Sequence, residues 1–561
     1  MRLLSGRVDG MFVPGPEGVT VPASLRERLL SDPEHILALF AVAKRHRSGV
    51  HHDLMDRVRS AAEVQGEAAF RAPGALLRFR EILAQPGHLA ETLSSMHASG
   101  VLEKLIPEFA AVTQLVQFNR YHRYTVDRHT LEVIRTAESL AGSPGPDGPG
   151  AYLRKAYREI HRRDLLHLAM LLHDIGKGAR GDHSAAGAGI AAAVGTRLGY
   201  ARDDTSLLIF LVREHLTMEQ VAFRRDLSDA KVLLRFARTV ATAETLRMLY
   251  VLTYSDVAGV GPGSWTGWKE ELLTDLYLKV LDQLTGSREV PSPDERLEVV
   301  RREVRAALGE RTLAGTGWVE DQLREMNRRY ALVTPPGTIA RHLEWLADLA
   351  PEDVRARGEN QPGSGATEYT VLTRESVTLG IFSKIAGVLA AKGLGVLRAQ
   401  VDTWSNDVVV DTFTVTDTFF SGPPPASRLT EVEEAIRDVL LGRDTVEALF
   451  RRHRRFGHEP PVPPLAEPTQ IEVDQESSDA FTVVEVFAHD RHGLLYAIAE
   501  ALRELGLNVH SAQVATRLDQ VLDVFYVTEA DGRPVLEADR VSVIRAALTA
   551  RIDGLGERPD I

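Results

Sequence analysis

Cysteine is absent from this sequence of 561 residues. Disulfides and thiolate zinc sites are thereby excluded, so any metal ion must be held by imidazole and carboxylate. Long apolar runs are missing too: no segment offers about 18 uninterrupted apolar residues, the length of a membrane-spanning helix. The first ten residues, Met1-Arg2-Leu3-Leu4-Ser5-Gly6-Arg7-Val8-Asp9-Gly10, lack the apolar core of a signal peptide. These absences lead us to expect a cytoplasmic protein with no membrane partner. A basic excess is also lacking, with 66 Lys and Arg against 78 Asp and Glu. Surfaces that bind a phosphate backbone collect Lys and Arg on one face, so nucleic acid is not expected as a partner. What is present, 44% hydrophobic and 26% charged residues, is ordinary globular composition. At about 150 residues per domain, the chain has room for three or four.

Residues 1 to 118 read as amphipathic helices, for example Pro33 to Arg45 and Ala75 to Leu83, where apolar positions recur every three and four residues. No catalytic constellation falls there, and a helical support is expected. Three breaks punctuate the rest: Gly142 to Gly150, Gly358 to Gly365 and Pro460 to Pro468. Beyond Gly365 the order strand, helix, strand, strand occurs twice, an internal repeat of about 110 residues. The first copy holds a strand at Tyr369 to Thr373, a helix at Ile381 to Lys392 and a later strand at Val408 to Thr416. The second repeats them at Phe481 to Ala488, Leu494 to Leu505 and Val521 to Thr528. Two small sandwiches of helices on antiparallel sheet are expected from this order.

The chemistry concentrates in Leu165-Leu166-His167-Leu168-Ala169-Met170-Leu171-Leu172-His173-Asp174-Ile175-Gly176-Lys177-Gly178. An apolar helix runs into an adjacent His-Asp pair and is stopped by glycines. Neighbours on a helix point about 100° apart, so both side chains reach one locus only near a helix end or with a second ion. Further candidates are His129, His183, His215 and Asp256. Four imidazoles and two carboxylates suit one or two divalent ions, manganese or iron first, zinc or magnesium after them. Such an ion lowers the pKa of its water and offsets charge on a phosphoryl oxygen, so the expected reaction is hydrolysis of a phosphate ester. Asp174 and Lys177 are the candidate catalytic residues, Lys177 as a point charge for the substrate phosphate. The plainer readings differ by residue. A lone buried His is ordinarily a core histidine with its hydrogen bonds satisfied, which is how His122 and His167 are read and how His183 or His215 would be read in isolation. Lys177 also reads as a solvated lysine favoured by a helix C-terminus. His173-Asp174 is different, because burying an Asp without a partner costs several kcal/mol.

The order His129, His173-Asp174, Asp256 resembles that of the HD-domain metal-dependent phosphohydrolases, and His183 and His215 resemble the additions of its two-metal members. Flanking segments are more specific: Phe118-Asn119-Arg120-Tyr121-His122-Arg123-Tyr124-Thr125-Val126-Asp127-Arg128-His129-Thr130, Gly181-Asp182-His183-Ser184 and Trp265-Thr266-Gly267-Trp268-Lys269. They resemble the bifunctional uridylyltransferase/uridylyl-removing enzymes of bacterial nitrogen control, over nearly the whole chain. Both C-terminal copies resemble ACT domains, the second through Asp490-Arg491-His492-Gly493-Leu494-Leu495, where His492 stands in place of the usual proline. The resemblance implies a multidomain fold: an all-α helical support over 1–118, an HD region over 119–345 with its core at 125–260, and two α+β, ferredoxin-like ACT domains at 366–455 and 480–561.

It also implies removal of uridylyl groups from a PII-like signal protein, controlled by glutamine or another amino acid. Asp490, His492, Gly493, Leu494 and, in the first copy, Gly380 are the expected amino-acid contacts, because the turn leaves backbone amides free at a helix start. An ACT-mediated dimer is a further expectation. Relatives begin with a nucleotidyltransferase domain marked by an Asp-x-Asp pair, and no such pair precedes His129, so removal rather than transfer is expected. Two other readings use the same residues: an HD hydrolase of a free nucleotide, and a non-catalytic amino-acid sensor that binds PII.

Overall fold

A computed structural model of the chain describes residues 7–556 apart from 117–123, 143–149, 180–181, 226, 228, 262–263, 266, 287–292, 310–315, 362–364, 418, 421, 454–467, 476–477, 479, 490, 492 and 518–519. The breaks expected at Gly142 to Gly150 and Pro460 to Pro468 lie almost wholly outside the described residues. Two compact units emerge, residues 1–222 with 237–285, and residues 223–236 with 286–561.

The first unit opens with a hairpin, β1 (Val13–Gly15) and β2 (Gly18–Thr20), and is otherwise helical. Helix α1 (Pro33–Arg45) starts where capping chemistry demands: the Asp32 carboxylate accepts from Glu34 N at 2.9 Å and Pro33 occupies the first helical position. Helix α2 (His52–Val64) follows, then α3 (Pro73–Ala84), which packs on α1. Lys44 of α1 is buried and donates to the Ile82 and Gln85 carbonyls at the end of α3, and burial brings its pKa down to about 8. It satisfies carbonyls that the helix end leaves without partners.

Five more helices build the site: α4 (Val126–Ser139), α5 (Arg163–Leu172), α6 (His183–Arg197), α7 (Arg202–Arg213) and α8 (Ala243–Gly259). From Leu165 to Leu172 every residue of α5 is buried, which explains why its sequence is apolar all round. It contacts α3, α4 and α7, while α8 lies along α4 and α6 along α7. The α6–α7 approach is close because α6 turns small residues toward α7; a Cβ on Gly195 would meet Thr205 Cγ2 at 2.9 Å.

In the second unit the strands are β3 (Arg355–Asn360), β4 (Thr367–Arg374), β5 (Leu394–Thr403), β6 (Val408–Asp417), β7 (Gln470–Asp474), β8 (Thr482–His489), β9 (Asn508–Arg517) and β10 (Gln520–Thr528). One sheet carries both C-terminal copies, in the order β3-β4-β6-β5-β9-β10-β8-β7. The elements expected from the repeat are all present, with ends shifted by one or two residues. The two sandwiches of helices on antiparallel sheet expected from the repeat are joined edge to edge in this sheet. Strands β5 and β9 pair antiparallel, Arg398 with Gln513, Ala399 with Ala512 and Gln400 with Ser511, so each copy covers an edge of the other.

A correction concerns Gly358 to Gly365, expected as a break. Its first three residues belong to β3, which pairs with β4, and Gly358 is there because the Tyr369 ring lies across it: a Cβ would sit 2.6 Å from Tyr369 Cε1. Strand β6 is buried on both faces. Val409, Phe413 and Val415 join a core with helices α9 (Ile381–Ala391), α10 (Ala426–Leu440), α11 (Leu494–Glu504) and α12 (Ala538–Asp553). Val408 and Val410 turn the other way, against Tyr330, Ile339 and Leu343. Double burial accounts for the apolar run in β6 that alternation alone does not.

The segment Phe223–Phe236 folds with this unit. Arg225 is ion-paired with Glu485 of β8, and its carbonyl accepts from Gln513 Nε2 at 2.7 Å. Among the described residues no helix is long and apolar enough to cross a membrane.

Candidate metal centre

Helix α5 ends at Leu172, so His173 is its last-turn cap and Asp174 already leaves the helical path before the short 3₁₀ turn Ile175–Gly178. The adjacent pair therefore points both side chains toward one locus. His129 reaches it from the first turn of α4, Asp256 from the last turn of α8, and His215 from just beyond α7. His183 begins α6, whose start is fixed by the Asp182 carboxylate accepting from Ser184 N at 2.9 Å.

The donors form two groups, His129 with His173 and Asp174, and Asp174 with His183 and His215, each with ligand atoms within 4.8 Å of one another. Asp174 belongs to both. Its Oδ2 lies 3.3 Å from His173 Nε2 and 3.9 Å from His129 Nε2, while Oδ1 lies 3.9 Å from His215 Nε2. Asp256 Oδ1 is 2.9 Å from His129 Nε2 and 3.5 Å from His173 Nε2. The structure thus brings together all six residues read from the sequence as candidate ligands.

The donor set fits a divalent ion on two observations. His173 Nδ1 lies 2.8 Å from the Met170 carbonyl and His215 Nδ1 lies 2.8 Å from the Val212 carbonyl. A carbonyl accepts only, so Nδ1 carries a proton and Nε2, facing Asp174, is the nitrogen left to coordinate. Among the described residues His173 Nε2 has no hydrogen-bond partner and is buried, as a coordinating nitrogen would be. Electrostatics agree. Burial pushes the His173 imidazole down, but Asp174 and Asp256 override it and raise its pKa to about 10. Burial also opposes ionisation of both carboxylates; His173 and Lys177 hold Asp174, and His173 and His129 hold Asp256, well below the usual carboxylate range. His215 is brought down to about 4 by burial and then by His173, which keeps it neutral. The locus favours positive charge, a proton or an ion alike. An ion there supplies a water of lowered pKa and offsets charge on a phosphoryl oxygen.

Lys177 Nζ lies 2.7 Å from Asp174 Oδ2, so the structure places this lysine on the carboxylate. His167 is fully buried, between Tyr157 Oη at 3.0 Å and the Leu83 carbonyl at 2.6 Å, a core histidine with both nitrogens engaged. His122, Asp490 and His492 lie outside the described residues. Gly493 and Gly380 cap α11 and α9 with positive φ, and Leu494 is buried as the first residue of α11. A Cβ on Gly380 would lie 2.5 Å from Arg503 Cδ, so this turn abuts the helix of the other copy.

Sequence reasoning missed a supporting network. Asp127, two residues before His129, accepts from Gln114 N at 3.1 Å and lies 3.3 Å from His97 Nε2, and His97 in turn contacts Glu103. An acid in the first turn of α4 was the available local signal. His97 comes from a distant helix and gave none.

Comparison with known proteins bears on this geometry. Residues 126–249 match the HD domain, 482–545 the ACT domain, and 25–105 the uridylyltransferase GlnD third domain. A bifunctional uridylyltransferase/uridylyl-removing enzyme of Rhodospirillum rubrum is 34% identical over 530 residues, 93% of this chain. This chain is a homologue of the bifunctional uridylyltransferase/uridylyl-removing enzymes. Enzymes of the same name from Novosphingobium aromaticivorans and Bradyrhizobium diazoefficiens are each 34% identical, over 98% and 92% of the chain. The chain spans 55%, 59% and 55% of the lengths of these three curated relatives. The matched HD segment contains His129, His173, Asp174, His183 and His215, and Asp256 lies past its end on α8, the helix in which the match stops. At the coarse level the chain carries a phosphohydrolase domain with a His/Asp cluster able to hold metal.

Proposed function

We propose that the HD centre removes uridylyl groups from a tyrosine of a PII-like protein, under control of glutamine or another amino acid sensed by the two ACT modules. The domain division follows: helical support over 1–118, HD region over 119–345, ACT modules over 366–455 and 480–561, the first extended to Arg355 by β3. The observation that carries the reading is Asp174, shared by two groups of donors of which only His183 is not fully buried, an arrangement suited to a pair of divalent ions. The reaction hydrolyses the phosphodiester: the P–O bond to tyrosine breaks, a water oxygen joins phosphorus, and the phenolate takes a proton. A phenol with a pKa of about 10 leaves with less acid assistance than an alcohol. Lys177 serves as the point charge for the phosphate, exchanging Asp174 for substrate.

Purified chain with Mn²⁺ and uridylylated PII is expected to release UMP, read by chromatography. No UMP, under conditions where the protein is folded and metal-loaded, would sink the proposal. Free nucleotides assayed in parallel separate protein from small-molecule substrates.

Amino-acid control is supported by a cleft of about 370 Å³ between the ACT copies, lined by Lys384, Glu447, Tyr496, Glu500 and Arg503 among others. Charges of both signs suit a zwitterion. The chain between His215 and Asp256 passes through Phe223–Phe236, which Arg225 ties to Glu485. Couplings between sites are typically about 1–3 kcal/mol. Arg225→Ala is therefore expected to cut the glutamine response about fivefold or more, while the glutamine-free rate is unchanged. An unaltered response in that variant would remove the tether from the mechanism.

A further inference from the structure

Outside the HD centre, one further group of described residues brings imidazole and carboxylate donors within 4.8 Å of one another: His51, His52 and Asp53. The backbone that carries them is held from two sides. Val19 N donates to the Gly49 carbonyl at 2.8 Å and His51 N to the Val19 carbonyl at 3.1 Å, which ties the segment to β2. Leu54 N and Met55 N donate to the His51 carbonyl at 3.0 and 2.9 Å, which starts α2. Gly18, at φ +120°, passes so close that a Cβ would stand 2.7 Å from His51 N. The donors thus sit on a fixed junction between the hairpin and the helix.

Their side chains converge, His51 partly buried and His52 and Asp53 exposed. The His51 and His52 rings stack at 4.3 Å with 29° between planes. His52 Nε2 lies 3.3 Å from Asp53 Oδ1, and His51 Nε2 lies 3.6 Å from Glu17 Oε2 in the β1–β2 turn. His51 occupies the N-cap of α2 yet makes no side-chain capping bond, at a position usually given to Ser, Thr, Asp or Asn. The side chains of Glu17, His52 and Asp53 are 82%, 79% and 68% exposed, so they adjust to an ion without loss of packing and leave room for its waters.

We propose that His51, His52, Asp53 and Glu17 form a second, exposed metal site that clamps the β1–β2 turn to α2. Two imidazoles with two carboxylates select first-row ions such as Ni²⁺, Cu²⁺ or Zn²⁺ over Ca²⁺ and Mg²⁺, which prefer oxygen alone. The helix start weakly disfavours a cation, and the two carboxylates offset it.

Equilibrium dialysis of the full chain against Ni²⁺, with bound metal counted by mass spectrometry, tests this. Wild type is expected to hold one more ion per chain than His52→Ala, and Asp174→Ala is expected to keep that ion. The remaining ligands of His52→Ala should bind Ni²⁺ about tenfold more weakly or worse, equivalent to about 1.4 kcal/mol. With Cu²⁺ added, electron paramagnetic resonance should show coupling to two nitrogens at this site in Asp174→Ala and its loss when His52→Ala is added. His52 is exposed, so the variant should fold, which circular dichroism verifies. Equal ion counts and unchanged nitrogen coupling in the His52→Ala proteins would overturn the site.

Discussion

Asp174→Ala is expected to lower the proposed metal-dependent phosphodiester hydrolysis about 10³-fold or more, the largest effect expected of any single substitution in this protein. A bound ion stabilises the transition state by several kcal/mol, and each 1.4 kcal/mol or so is a factor of ten in rate. Asp174 is the one residue common to both donor groups, so its removal disassembles both at once. The variant also strips the carboxylate that holds Lys177 at 2.7 Å and leaves His173 facing Asp256 alone. Asp174→Asn is expected to fail nearly as badly, because the amide keeps the shape and discards the charge that favours a cation. The measurement is initial rate with saturating Mn²⁺, alongside metal content of the dialysed protein. A variant that keeps more than about a tenth of the wild-type rate would show that the chemistry lies elsewhere.

Gly176→Ala is expected to produce the second largest loss, by displacement rather than by removing a ligand. A Cβ at 176 would lie 2.0 Å from the His183 carbonyl oxygen and 2.7 Å from Gly187 N, both main-chain atoms. Neither is the end of a flexible side chain, so the first turn of α6 must retreat, and His183 leaves with it. Misplacement by about 1 Å costs on the order of 10²-fold in rate, and forcing a methyl into a packed contact costs about 1–3 kcal/mol of stability. The prediction is selective: the group of Asp174, His183 and His215 weakens, whereas His129, His173 and Asp256 stay in place. Metal counting should show one ion lost, and thermal denaturation a lowered midpoint. Unchanged metal content, rate and midpoint together would refute the close approach at Gly176.

Much of the candidate site was legible because its residues stand where local signals are strong. An apolar stretch ending in His173-Asp174 and followed by glycines announces a helix end, and the capped helix of Pro33 to Arg45 was readable from Asp32-Pro33 and its periodicity. The first strand, helix and last strand of each C-terminal copy were readable from their change of period. His97 was not, since its link to Asp127 joins residues 30 apart on different helices. Strand β3 was not either, because Gly358 reads as a breaker until the Tyr369 ring is laid across it.

What the sequence determined alone was the kind of chemistry: with no cysteine, six histidine and aspartate candidates and a His-Asp pair at a helix end, an imidazole and carboxylate centre followed from donor types. Only the tertiary structure decided how the donors divide. His129 and Asp256 are 127 residues apart and meet because α8 lies along α4. Asp174 turns Oδ2 toward His129 and His173 and Oδ1 toward His215 because α6 packs on the 3₁₀ turn and α7 packs along α6. The carbonyls of Met170 and Val212 set which imidazole nitrogens are left to coordinate. The joining of β5 to β9 likewise depends on edge pairing between copies, and residues 399 and 512 become neighbours only when both sheets have formed. Local sequence fixes which groups a residue offers, whereas long-range packing fixes which of them face one another.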